Sequence, residues 1–183
     1  MSVTVTPQEF KFVAYDAGLI QRVAEQLLDS LGLDRDVAIE VDETTPLSRT
    51  RVDIGDTISI RAESGAFEDT KRPRQQSENA TATSLGRVLM RVNDRLTGGF
   101  GEAPPDDELA LAQVAAWDTY CVGRLSRLGI PANQQRWRYN FRNRHGFTDA
   151  ADEAFNRLWA GDGLTWDELE AISAAASQPD SHS

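Results

Sequence analysis

Apolar positions recur along this chain with two different periods, and the change of period divides it. Between Asp16 and Gly32, residues Leu19, Ile20, Val23, Leu27, Leu28 and Leu31 fall at helical spacing, and Gly32 stands where a helix stop belongs. Val37–Val41 then reads as a strand. Arg51–Ile54 and Thr57–Arg61 alternate around Gly55-Asp56, a pair suited to a two-residue hairpin turn. That alternation puts Val52, Ile54, Ile58 and Ile60 on one buried face and Arg51, Asp53, Ser59 and Arg61 on a wet one. Upstream the signals conflict. Thr6-Pro7-Gln8-Glu9 has the form of a helix start, whereas Phe10, Phe12 and Ala14 alternate as in a strand, so residues 9–15 stay open between the two.

After a polar, aperiodic stretch over Gly65–Asn79, read as a mobile loop, the helical period returns and stays. Ala80–Leu96 carries Leu85, Val88, Leu89, Val92 and Leu96 on one side. The Gly98-Gly99-Phe100-Gly101 run that follows lacks the strand-before, helix-after setting of a phosphate cradle, so it reads as a helix stop. A helix over Asp106–Leu128 is expected at the centre of the core, with the stripe Ala110, Val114, Trp117, Cys121, Leu125 and Leu128 and an acidic first turn. Pro131–Gly146 reads as a helix by its Pro start and Gly stop, although Trp137, Tyr139 and Phe141 could also share one face of a strand. Thr148 and Thr165 cap two more helices, over Asp149–Ala160 and after Trp166. The expected class is α+β: an N-terminal helix and a small antiparallel sheet followed by a mostly helical C-terminal half. This is read as a single domain over 1–177, sheet-containing to about 100 and helical over 105–176, with a disordered tail at 178–183.

Composition narrows the function classes. The 183 residues carry a formal net charge of −10, a field that repels phosphate and argues against a general nucleic-acid coat protein. With a single cysteine, Cys121, no intrachain disulfide can form. The N-terminus shows no signal-peptide pattern, and no apolar run approaches the roughly 20 residues of a membrane span, so a cytoplasmic, soluble protein with no membrane partner is expected.

Against that acidic background one stretch is anomalous. Gln134–Phe147, QQRWRYNFRNRHGF, holds Arg136, Arg138, Arg142 and Arg144 with no acid among them, interleaved with Trp137, Tyr139, Phe141 and Phe147. Arginine and aromatic residues are those enriched at protein–protein hot spots, which points to a protein partner or a second copy of the chain. The same residues can stack bases and meet phosphates, so nucleic acid is the alternative, with help from Lys71, Arg72 and Arg74. In the plainest reading the aromatics are core and the arginines pair with the chain's own acids. Candidate binding residues are Arg136, Trp137, Arg138, Tyr139, Arg142, Arg144 and His145.

Catalytic chemistry has little to stand on. Histidine occurs at His145 and His182 alone, and Cys121 sits mid-stripe in an apolar helix, where a thiol is inert. The count and spacing of His and Cys exclude a zinc site, and Asp162–Glu168 lacks the acid alternation of a calcium loop. No metal and no cofactor is expected. An enzyme using carboxylates, arginine and His145 remains a third class.

The order helix, strand, hairpin, loop, helix over Asp16–Phe100 resembles the layout of minimal zincin-like metallopeptidase domains. In that family the last of these helices carries His-Glu-x-x-His. Here the corresponding stretch is Arg87-Val88-Leu89-Met90-Arg91-Val92-Asn93-Asp94-Arg95-Leu96, without histidine or glutamate. The resemblance therefore implies a zincin-shaped domain with neither zinc nor peptidase activity, and it assigns no site residue.

Overall fold

The computed structural model describes residues 2–177; the tail expected at 178–183 lies outside them. The chain divides into two compact units, Met1–Met90 and Arg91–Ser183. The fold class is α+β, with the sheet in the first unit and a helical C-terminal half.

In the first unit, β1 (Val3–Thr6), β2 (Asp36–Asp42), β3 (Thr50–Ile54) and β4 (Thr57–Glu63) form a sheet in the order β1-β2-β4-β3, with helix α1 (Ala17–Leu31) between β1 and β2 in the chain. Helix α1 begins where the Asp16 carboxylate accepts from the Gly18 N–H, and it ends at Gly32 in the left-handed conformation (φ 65°). Its Ile20, Val23, Leu27 and Leu28 are buried, as are Val3, Val5, Val37, Ile39, Ile58 and Ile60 of the strands. The hairpin β3/β4 is antiparallel as its turn requires, but the sheet is mixed: β1 and β4 both run parallel to β2. Helix α1 is the crossover that lets β1 and β2 point the same way, and β4 parallels β2 because β3 takes the outer edge and the hairpin returns β4 between them.

Two stretches depart from their sequence patterns. Thr6 ends β1 and opens no helix. Residues 8–16 are neither helix nor regular strand; the Lys11 and Phe12 N–H groups both donate to Glu43 Oε1 (2.7 and 2.6 Å), and Ala14 forms an isolated bridge to Gln75. Gly65–Asn79 is ordered into a 3₁₀ turn at Ser64–Phe67 and a short antiparallel ribbon of β5 (Glu68–Asp69) and β6 (Arg72–Gln76). Buried Phe67 anchors it, and Ser84 Oγ donates to the Ala66 carbonyl (2.7 Å). Helix α2 then runs Glu78–Thr97.

The second unit is built on α3 (Leu111–Arg127), with α4 (Gln134–His145), α5 (Asp149–Ala160) and α6 (Trp166–Ala176). Helix α3 starts later than its acidic run suggests. Asp106–Glu108 is a 3₁₀ turn, and Asp106 accepts from Arg95 Nη2 (2.7 Å) instead of leading a helix. Gln113 Oε1 takes the Ala110 N–H (2.8 Å) at the true start. Trp117, Cys121 and Leu125 are buried as their stripe implies, whereas Ala110, Leu111 and Leu128 at the helix ends are exposed. Helices α3 and α5 meet closely at Gly123, where a Cβ would collide with the Trp159 carbonyl oxygen.

One carboxylate ties this unit together. Asp94, buried at the end of α2, accepts from Trp117 Nε1 (2.9 Å) and from both terminal nitrogens of Arg124 (2.8 and 2.7 Å). Its backbone carbonyl meanwhile accepts from the Gly98 and Phe100 N–H groups. The Phe100 ring that this turn places stacks on Trp117 (5.0 Å) and Tyr120 (6.0 Å). Arg91 pairs with Asp118 alongside. Asp94→Ala would leave a largely buried guanidinium without its counter-charge, and a loss of about 3–5 kcal/mol is expected for such a pair. Urea denaturation followed by tryptophan fluorescence reads it. A loss below about 1 kcal/mol, the range of an exposed bridge, would remove Asp94 from this role.

Candidate functional site

Helix α4 carries the candidate residues, and its periodicity sorts them. Asn133 caps it by accepting from the Arg136 N–H (3.2 Å), and Gly146 (φ 113°) closes it with its N–H on the Arg142 carbonyl (2.7 Å). The segment is thus a helix from Gln134, three residues beyond the proline that marked its start in the sequence.

The inner face is structural. Phe141 and His145 are buried and stacked, ring centroids 3.9 Å apart, and Phe141 meets Phe155 edge-on at 5.8 Å. Arg142 holds Asp152 with two hydrogen bonds of 2.8 Å, and this contact keeps the Asp152 carboxyl below its usual range. Arg138 lies over the Phe155 ring (5.1 Å) and donates to Asn156 Oδ1 (2.9 Å).

His145 belongs to the same face. Its Nδ1 lies 3.1 Å from the Phe141 carbonyl, which can only accept, so Nδ1 carries the proton and Nε2 accepts from Ser173 Oγ at 2.8 Å. A serine–histidine contact of this length invites a nucleophile reading. Yet Nδ1 faces a backbone carbonyl where a triad places a carboxylate, and both side chains are buried. Burial pushes the His145 imidazole down from 6.5 and favours the neutral ring.

The outer face is different. Arg136, Tyr139, Asn140, Asn143 and Arg144 are exposed, at spacings that stack them along one side of the helix. Tyr139 is 57% exposed and Phe147 65%, and the two rings touch edge-to-face at 6.1 Å. The guanidinium groups of Arg136 and Arg144 have no carboxylate partner among the described residues. Beside this face a groove of about 210 Å³ runs between α3 and α4, lined by Leu111, Val114 and Thr119 on one side and half-buried Trp137, Asn140 and Arg144 on the other. The seven candidates therefore do not form one site. Arg138, Arg142 and His145 are spent on the fold, while Arg136, Tyr139, Arg144 and the flank of Trp137 line a surface. The sequence reading left out Asn140 and Asn143, whose signal was their helical spacing from Arg136 and Arg144, and Leu111, which reaches the groove from α3 and gave no such signal.

Elsewhere, a cavity of about 510 Å³ in the first unit was invisible to sequence reasoning because distant segments build it. It is lined by Lys11, Phe12, Glu43, Thr44, Glu68 and Arg74, among others, and Arg74 adopts a left-handed φ of 64° there. Its two cations are balanced by two carboxylates, and it holds no paired nucleophile and base. Cys121 is fully buried, and burial pushes its thiol up to about 12. Among the described residues no group of three or more His, Cys, Asp or Glu side chains could hold a metal ion, and no helix is long and apolar enough to cross a membrane. The Arg87–Leu96 stretch of α2 supplies no zinc ligand set. Compared with protein-family models, curated proteins and solved structures, the chain finds no match.

The depressed imidazole has a pH signature. Because the folded state holds His145 neutral, the unfolded chain binds more protons once pH falls below 6.5. The stabilisation is full above that value and is lost as pH falls toward the lower folded pKa. Asp152, depressed from 3.8, gives up its share only in more acid solution. His145→Gln is expected to flatten the decline in stability between about pH 7 and 5, measured by urea midpoints. An unchanged slope would show that His145 does not titrate with unfolding.

Proposed function

We propose that this chain is a non-catalytic protein-binding module, and that the outer face of α4 takes an acidic, partly apolar segment of another protein. The observation that carries the reading is the exposed Tyr139–Phe147 ring pair flanked by two arginines without partners, in a chain whose net charge is −10. Rigid aromatics beside arginine are what interface hot spots are made of. In an acidic protein, basic side chains left unpaired favour an acidic partner face, through steering and through register. The groove beside Trp137 offers room for an apolar side chain of that partner.

Nucleic acid is the weaker occupant of this face. Two free guanidiniums supply few phosphate contacts, and the surrounding negative field opposes the rest. The zincin-like order of elements over Asp16–Phe100 is compatible with a binding role, since Arg87–Leu96 carries no His-Glu-x-x-His. A cytoplasmic setting is part of the same proposal.

Titrating isotope-labelled chain with a glutamate- and leucine-rich helical peptide should shift the amide signals of Tyr139, Asn140, Asn143 and Phe147. Arg136→Glu with Arg144→Glu should weaken the peptide by about tenfold or more while leaving the melting temperature in place. Shifts seen only with a single-stranded oligonucleotide, falling steeply with salt, would replace this reading with the nucleic-acid one. A peptide that perturbs only other regions would overturn it.

A further inference from the structure

Strand β3 is one edge of the four-stranded sheet, and its outer side pairs with no other strand among the described residues. The register shows which backbone groups are available. Within the hairpin, the Glu63 N–H donates to the Arg49 carbonyl (2.9 Å) and the Gly55 N–H to the Thr57 carbonyl (3.3 Å). Hydrogen-bonded pairs alternate along an antiparallel ladder, so Arg51 and Asp53 exchange their bonds with Arg61 and Ser59 of β4. Thr50, Val52 and Ile54 therefore turn their N–H and C=O groups away from β4, to the open edge.

The side chains on this edge are unfinished as well. Arg51 stands directly across from Arg61, whose own partner is Glu40 at 3.4 Å. Neither Arg51 nor Asp53 has an oppositely charged partner among the described residues, and both are exposed. On the other face Ile54 is 37% exposed although its hairpin neighbour Ile58 is fully buried. Natural edges are usually protected by proline, by lysine and other charged side chains, or by a bulge; β3 has no proline, lysine or bulge, and its two charges, Arg51 and Asp53, are of opposite sign. The opposite edge differs: β1 runs only Val3–Thr6 and is followed by Pro7.

We infer that two copies of this chain associate through β3, paired antiparallel about Val52, to make one continuous sheet. In that register Val52 hydrogen-bonds to its own copy, and Thr50 to Ile54 on either side. Arg51 then meets the second copy's Asp53, and Asp53 the second copy's Arg51. These charge pairs fall at the non-hydrogen-bonded positions, where facing side chains come closest. Other registers fail on the same residues. Centring on Arg51 or on Asp53 sets like charges face to face, and a one-residue slip sends Arg51 against Val52 and turns every side chain to the wrong face. A five-residue edge buries less than the roughly 1,200–2,000 Å² of a standard stable interface. The association is therefore reversible and depends on concentration.

The inference is independent of the α4 face, and sedimentation of the purified full chain over a dilution series tests it. The wild type should pass from monomer to dimer with rising concentration. Arg51→Asp and Asp53→Arg each place like charges opposite one another twice, and each should weaken the dimer by about tenfold or more. The double variant Arg51→Asp/Asp53→Arg restores both pairs and should restore the dimer. Mixing the two single variants should give a heterodimer, because one then carries only acids on the edge and the other only bases. Arg51 and Asp53 are both exposed, so each variant should fold, which circular dichroism verifies, and Arg136→Glu/Arg144→Glu should dimerise as the wild type does. A wild type that stays monomeric throughout overturns the inference. So does a dimer indifferent to both single changes, or a double variant that fails to recover it.

Discussion

The second unit depends on the buried carboxylate of Asp94. Asp94 takes three hydrogen bonds from Trp117 and Arg124 through its side chain, and its carbonyl ends α2 by accepting from Gly98 and Phe100. A carboxylate taken from water is costly unless its oxygens are satisfied, and here the geometry is bidentate with a third donor added. The consequence reaches the apolar core. Trp117 is fixed in orientation because its indole N–H is held, and Phe100 is placed by the turn that the same residue closes. The aromatic cluster of Phe100, Trp117, Tyr120 and Trp166 follows from polar positioning as much as from burial.

Arginine does three kinds of work in this unit, and composition alone does not separate them. Arg124 is a buried counter-ion. Arg127 closes α5 from outside, with Nη1 on the Trp159 carbonyl (2.7 Å) and Nη2 on that of Gly161 (2.6 Å). Arg138 and Arg142 brace α4 on α5. Among the four arginines of the basic segment, Arg136 and Arg144 face solvent without a carboxylate partner among the described residues, beside the exposed rings of Tyr139 and Phe147. Substitutions at Arg138 or Arg142 act on the fold, since the Phe155 ring and Asp152 are their partners.

The elements that could be read from the sequence are those whose ends carry local chemistry. Asp16 and Gly32 bound α1, Gly55-Asp56 turns the hairpin, and Thr148 and Thr165 each accept an N–H at the first turn of α5 and α6. What escaped was set by distant partners. β1 is four residues long and exists because β2 lies beside it. The ribbon at Glu68–Gln76 is almost wholly polar and held by main-chain pairing, so it gives no hydrophobic period. The acids at Asp106–Glu108 imitate a helix start, but Arg95 claims Asp106 and the helix begins after Ala110. On α4 the mixture of Arg and aromatics was legible, whereas its division into a braced face and a free one required knowing that α5 lies along Phe141 and Arg142.

That limit has a physical origin that extends to the sheet. Alternation in Arg51–Ile54 correctly separated a wet face from a dry one, yet Ile54 is partly exposed while Ile58 and Ile60 are buried. A period describes which way a side chain points, and it says nothing about whether another strand lies beyond. β4 is flanked by β2 and β3, so its Ile58, Ile60 and Ala62 are covered from both sides; β3 has a neighbour on one side only. The alternation of opposite charges at Arg51 and Asp53 carries the missing information. Charges of one sign would repel a copy of the strand, and opposite charges two residues apart are complementary to themselves under a two-fold rotation. An edge with that symmetry, with apolar side chains still open to water and with backbone groups turned outward, has the ingredients of a ladder in place before any partner arrives.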